Sequence, residues 1–198
     1  MRLIQQSLVL ALTACLAGSA VPTQAQDGTP AMTMHEDLSR RSRDIHWPEG
    51  FNPETADLFA HNELTMAAPC DRVWRHIVDA RDWPQWYPNA RDLVLPPDAT
   101  ALASGTTFRW TTFGLAIESQ VREFEPASRL GWTGGAPGRP PGFYHTWRLL
   151  PVAGGCRVIT EEVGRGEEAR QIRASDEGLL HRGHDLWLAC LRWMAEAR

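Results

Sequence analysis

The chain contains no lysine; its 20 basic residues are all arginine. That absence excludes a lysine Schiff base and the lysine of a phosphate-binding P-loop. Cysteine is sparse, at 4 residues, and neither CxxC nor any zinc-type spacing occurs. No apolar run reaches the ~20 residues that a membrane-spanning helix needs. Positive charge is not in excess: the formal net charge is −4, and no basic block offsets it, which argues against nucleic acid as a partner. There is no GxSxG, so a serine nucleophile has no support. The glycine-rich stretch GGAPGRPPG falls between two strand-like segments without a following helix and reads as a loop, not a phosphate cradle.

What is present begins with a leader. MRLIQQSLVLALTACLAGSAVPTQAQ carries Arg2, a short apolar run from Leu8 to Leu16, and small residues before Gln26. This reads as a secretory signal peptide over residues 1–25. LTAC, ending at Cys15, also fits a lipoprotein cleavage site, so a lipid anchor at Cys15 is the alternative to simple export. Removing residues 1–25 takes away one arginine and no acid, which moves the charge from −4 to −5. Cys70, Cys156 and Cys190 then remain, enough for one disulfide whose pairing stays open.

Residues 26–60 show no sustained period and read as an irregular N-terminal arm, able to touch the domain through Trp47, Phe51 and Phe59. From residue 61 onward the patterns sharpen into a single domain. HNELTMAAP reads as a short strand. CDRVWRHIVDARDW follows as a helix, with Val73, Trp74, Ile77 and Val78 on one face. Period-two segments come next: TTFRWTTF, GLAIESQVREF, RLGWTG, GFYHTWRLL and GCRVITEEV, broken by Gly and Pro turns as in an antiparallel meander. A helix from about Asp176 to Ala197 closes the chain, with Leu179, Leu180, Trp187, Cys190, Leu191 and Met194 as its apolar stripe. Gly183 sits within that stripe, where a large residue is expected. The fold class is α+β, a curved antiparallel sheet with one apolar face that buries the stripe of the last helix.

Several segments resemble the SRPBCC superfamily, the START or birch-pollen-allergen-like group. They are AAPCDRVWRHIVDARDWPQWYPNARDL, FEPASRLGWTG, YHTWRLLPVAGGCRVITEE and HRGHDLWLACLRWM, and the likeness is strongest to its polyketide cyclase/dehydrase-like branch. The resemblance runs from about Asn62 to the C-terminus. It implies a helix-grip fold, in which the sheet wraps the C-terminal helix around an elongated apolar cavity. WPQWYP, residues 83–88, then borders the cavity mouth: Pro84 and Pro88 stop short helical turns, Trp83 seals a core corner, and Trp86 and Tyr87 face a ligand.

The expected lining is Trp86, Tyr87, Phe108, Trp110, Ile117, Trp132, Trp147, Leu180, Gly183 and Trp187, with few polar groups, the usual character of a small-molecule pocket. His145 shares a strand face with Phe143, Trp147 and Leu149. Paired with Glu161 on the neighbouring strand, it forms the candidate acid–base couple; the plainer reading is a structural hydrogen bond in a core wall. His181, His184 and Asp185 read as a solvated helix face, so no metal site and no cofactor are expected. The leading expectation is an exported binding protein for a hydrophobic or aromatic small molecule or a lipid. A cyclase or dehydratase, and a protein-interaction module using the arm and WPQWYP, are the alternatives.

Overall fold

The structure is a computed structural model that describes residues 32–197; the signal-peptide and Cys15 readings fall outside that range. Seven antiparallel strands form one sheet in the order β1-β7-β6-β5-β4-β3-β2. They are β1 (Leu58–Met66), β2 (Arg91–Val94), β3 (Thr107–Thr112), β4 (Leu115–Glu125), β5 (Arg129–Gly135), β6 (Phe143–Val152) and β7 (Gly155–Gly164). Strands β2 to β7 are a meander, and β1 pairs with β7 to complete the edge. The helices are α1 (Met34–Arg40), α2 (Cys70–Val78), α3 (Trp83–Trp86), α4 (Glu167–Asp176) and α5 (Leu179–Glu196). Helix α5 lies against β1 and β7, with α2, α3 and α4 around it. This is the helix-grip arrangement.

The apolar stripe of α5 runs through Leu180, Gly183, His184, Trp187, Leu188, Leu191 and Ala195. It is rotated from the expected stripe, since Leu179, Cys190 and Met194 are only half-buried. Histidine at 184 and glycine at 183 carry little apolar weight, so a stripe drawn from large residues alone misses the true contact line. Helix α4 was not expected, because GEEARQIRASD carries little apolar periodicity. Its one buried residue is Ala169.

Residues 32–57 are not an irregular arm. Thr33 caps α1 through a capping box: its hydroxyl accepts from the Glu36 amide, and the Glu36 carboxylate accepts from the Thr33 amide. Two orphan helix donors are thereby satisfied, the reason a short helix forms in a polar segment. The segment also covers the outer face of the sheet. Trp47 packs edge-on against Phe59 and Tyr144, and Phe51 packs against Tyr144. Asp44 is held by Arg129 and Arg148 at 2.7 and 2.6 Å, and the hydrogen bonds from Arg148 and then Arg129 lower its pKa. Strands β6 and β7 are consequently buried on both faces over most of their length. A disulfide joins Cys70, at the start of α2, to Cys156 on β7, leaving Cys190 as the free thiol among the described residues.

Candidate functional site

Aromatic side chains fill the middle of the space between sheet and helix. Trp83, Trp110, Trp132, Trp147, Trp187 and Phe108 form one array, with neighbouring ring centroids 5.1 to 6.5 Å apart. Trp83 is fully buried at its centre and donates its indole N–H to the Ile77 carbonyl. Pro84 sits in the first turn of α3, where its missing amide costs nothing. WPQWYP is therefore chiefly a core plug. Phe108 and Trp147, expected in a cavity wall, belong to this packed core and line no open space.

A chamber of about 60 Å³ remains beyond the array. Its walls include Tyr87, Trp110, Ile117, Trp132, Leu180 and Trp187, as expected, together with Phe113, Phe143 and Ile172. Tyr87 is stacked on Trp187 at 4.3 Å, and its hydroxyl donates to the Gly183 carbonyl at 3.3 Å. Burial raises the pKa of that phenol, so it stays protonated. Trp86 does not face the chamber. It points to an outer groove with Cys190 and Trp193, because α3 is a single turn and neighbouring residues on it diverge.

Gly183 is not among the residues that line the chamber. A Cβ placed there would collide with the ring of Phe113. Phe113 and Gly114 form the two-residue connection between β3 and β4, with φ of 51° and 79°. Positive φ at both positions defines a type I′ turn, which favours Asn-Gly and disfavours a bulky first residue. This turn lays the Phe113 ring over the chamber and onto α5.

Polar groups gather on one wall. Residues His145 on β6 and Glu162 on β7 are directly opposed in the sheet, and His184 reaches them from α5. His184 Nε2 lies 3.0 Å from Glu162 Oε2, and His145 Nδ1 lies 4.0 Å from the same oxygen. The two imidazoles stack with centroids 4.6 Å apart. Both histidines are buried. Burial, and then the neighbouring His184, push the pKa of His145 well down, so it is neutral near pH 7. Trp187 and Thr112, two more lining residues, each carry a buried polar atom without a hydrogen-bond partner.

The expected couple of His145 with Glu161 does not form. Glu161 points to the opposite face, where its Oε1 accepts from the Ser42 amide at 2.5 Å and meets His61 Nδ1 at 2.6 Å. It anchors the N-terminal segment, and Glu162 takes the place facing His145. The signal was in the turn: with Ala153–Gly154 as a two-residue connection, counting seven residues back from Val152 and seven forward from Gly155 pairs His145 with Glu162. The solvated-face reading of HRGHD is also corrected. His184 is a buried member of the polar wall, and His181 binds Asp37 of α1 at 2.9 Å and Asp185 at 3.4 Å.

The solved structures most informative for this fold include a hypothetical protein of Helicobacter pylori. It is 28% identical, with a TM-score of 0.71, covering 79% of this chain and 98% of its own. DynU16, described as a putative protein in the dynemicin biosynthetic locus, is 22% identical with a TM-score of 0.54, over 70% of this chain and 47% of that one. The di-domain ARO/CYC StfQ from the steffimycin biosynthetic pathway is 17% identical with a TM-score of 0.57, over 71% and 52%. At these identities DynU16 and StfQ share the fold alone. No curated protein sequence matches the chain. The profile of one family matches residues 60–174, more than half of the sequence. By that match the chain belongs to the polyketide cyclase/dehydrase and lipid transport family.

Proposed function

We propose that the protein is exported and binds a small hydrophobic or aromatic molecule in the chamber beneath Phe113. The observation that carries this reading is an apolar space whose polar groups converge on one wall, the usual design of a small-molecule site. A ring of the ligand would lie against Trp187 and Trp110, and its polar end would meet His145, Glu162 and His184. Size adds a condition. An engineered apolar cavity of roughly 150 Å³ admits benzene, whereas this chamber is about 60 Å³. A ligand therefore enters only when Phe113 swings out, which makes the observed state the closed one. Export is supported by the disulfide, since such bonds persist in oxidising compartments.

Extraction of the purified protein with organic solvent, followed by mass spectrometry, tests the binding reading. A stoichiometric apolar compound is the expected result. An empty extract, with no change in tryptophan fluorescence across a panel of aromatic and lipid probes, overturns it. Intact mass of protein from the envelope fraction tests export: a product beginning near Gln26 is expected, a diacylated one beginning at Cys15 marks an anchor, and an unprocessed cytosolic chain refutes both.

A second reading, acid–base catalysis such as cyclisation or dehydration, is favoured by the 3.0 Å contact between His184 and Glu162 inside the chamber. On that reading Glu162→Gln abolishes turnover of the extracted compound or its precursor. Affinity stays within about tenfold, or ~1.4 kcal/mol. Equal turnover by the variant removes Glu162 from the mechanism.

A further inference from the structure

His145, Glu162 and His184 come from three separate elements, and one donor atom of each lies within 4.8 Å of the others. Their outer atoms are already committed. Asn62, on β1, donates its amide hydrogens to the His181 carbonyl at 3.0 Å and to Asp185 at 2.8 Å. Its Oδ1 is therefore the acceptor for His184 Nδ1–H, at 3.2 Å. With Nδ1 held by Asn62, His184 aims its Nε2 at a carboxylate oxygen 3.0 Å away. Two acceptors at that distance repel unless a proton or a cation sits between them. His145 is tethered in the same manner, with Nε2 on the Thr160 hydroxyl at 2.7 Å and Nδ1 turned toward Glu162. Among the described residues no arginine pairs with Glu162; its ion-pair partners are these two histidines.

We propose that His145, Glu162 and His184 form a binding site for one divalent transition-metal ion, zinc or ferrous iron, with Asn62 and Thr160 orienting the histidines. Two imidazoles and one carboxylate are a donor set suited to these ions, and the apolar side of the chamber leaves the remaining coordination positions open. An outer hydrogen bond on each ligating ring is the arrangement that fixes the tautomer and aims the lone pair. A tetrahedral ion with bonds of about 2.0–2.1 Å sets its donors roughly 3.4 Å apart. The separations of 3.0 and 4.0 Å bracket that figure. Loading turns the imidazoles out of their present stack so that both aim at one point. The metal would act as a Lewis acid on an oxygen of whatever occupies the chamber. The cluster of His46, Glu123 and Glu125, whose His46 and Glu125 are exposed, serves as the control, since it lies outside the walls of the chamber.

The site stands apart from the small-molecule reading, because its test contains metal and no organic ligand. Tag-free full-length protein, stripped with chelator, is titrated with Zn²⁺ by calorimetry and with Co²⁺ by visible absorption and tryptophan fluorescence. One ion per chain is expected, with cobalt d–d bands and quenching of Trp132 and Trp187, whose rings lie 4.8 and 5.5 Å from His145. Affinity should fall more than about a hundredfold in His184→Gln and Glu162→Gln, and by about 10–100-fold in Asn62→Ala, while His46→Gln leaves it unchanged. Near-UV circular dichroism checks that each variant folds. If a ligand variant does not fold, the cobalt spectrum and quenching of the unaltered chain decide. Absence of stoichiometric binding, binding without the cobalt bands, or binding lost in His46→Gln and kept in the folded ligand variants overturns the proposal.

Discussion

Replacing Gly183 with alanine separates a gate at Phe113 from an ordinary core contact. The added methyl would overlap Phe113 Cζ and come within 2.7 Å of its Cε1, closer than real Cβ contacts allow. The helix backbone at Gly183 is fixed by its neighbours, so the ring on the hairpin turn is the part that moves. Alanine gains about 1 kcal/mol over glycine in a helix interior. Against this, Phe113 is only half-buried, so pushing its ring out forfeits about 1 kcal/mol, part of the roughly 1.5–3 kcal/mol of a fully buried side chain. The two terms nearly cancel, and the melting temperature should stay within about 4 °C, the shift that 1 kcal/mol produces in a chain of this length. Binding should not stay constant. Losing about 1 kcal/mol of preference for the closed state raises the open population about fivefold, and apparent affinity for a chamber ligand rises with it. Titration with a fluorescent apolar probe, alongside thermal unfolding, reads both quantities on one variant. Unchanged probe affinity with a melting temperature lowered by more than about 4 °C would show that Phe113 is packing, and the gate would be refuted.

Three further perturbations separate the roles of groups that sit close together. Glu161→Gln weakens a buried, charge-assisted contact to His61 and Ser42, so it should cost roughly 1.5–3 kcal/mol in denaturant melts while leaving probe binding intact; lost binding with full stability would return Glu161 to the site. Replacing both Cys70 and Cys156 with serine releases a link across 86 residues, and the chain-entropy argument sets the loss at roughly 4–5 kcal/mol; a shift below about 1 kcal/mol in chemical denaturation contradicts it. His181 has a raised pKa, chiefly from its hydrogen bond to Asp37 and then from the charges of Asp37 and Asp185, while burial and Arg40 oppose the rise. The stabilisation of the α1 contact is therefore complete below the ordinary histidine value and is lost as pH climbs through the raised one. His181→Gln should flatten that part of the stability–pH curve, and an unchanged curve in the variant assigns the dependence to another group.

Much of the fold was legible because β3 and the middle of β4 alternate between a covered and an open face. Arg109 and Glu118 fall outside, as the alternation implies, and pair at 2.7 Å. Ile117 and Trp110 line the chamber for the same reason. Legibility failed where both faces of a strand are buried. On β7 the run Ile159 to Val163 is almost wholly covered, because residues 32–57 pack on the side that a two-layer fold would leave wet. Hydrophobic alternation cannot then say which of Glu161 and Glu162 points inward, and only the length of the hairpin turn does. The covering helix α1 was missed in turn because its formation rests on one capping box and not on an apolar stripe. Gly183 stood out correctly as an anomaly, but its cause is a side chain from the β3–β4 turn, a contact between residues far apart in sequence.

On the binding reading proposed above, the same turn is where an aromatic-filled core would admit a ligand. Six interlocked rings leave little room to deform, since protein interiors resist the loss of even a methylene of packing. Opening must come from the rim. The rim residue that breaks the local rules is Phe113, which holds a left-handed conformation where glycine or asparagine is favoured. Such a position costs of order 1–3 kcal/mol and persists when surrounding contacts hold it. Here those contacts are the bare backbone of Gly183 and the apolar side chains of Leu180 and Phe143 nearby. Strain in the turn and contact on the helix therefore oppose one another. On that reading, a residue poised between two such terms would move for a small difference in ligand energy, whereas the tryptophans behind it would not. Phe113→Gly tests this balance from the other side. It removes the ring and the strain together, so stability should hold within about 1 kcal/mol while probe association becomes faster. Slower association, or a destabilisation beyond about 3 kcal/mol, would mean that the ring is part of the core and that the chamber opens elsewhere.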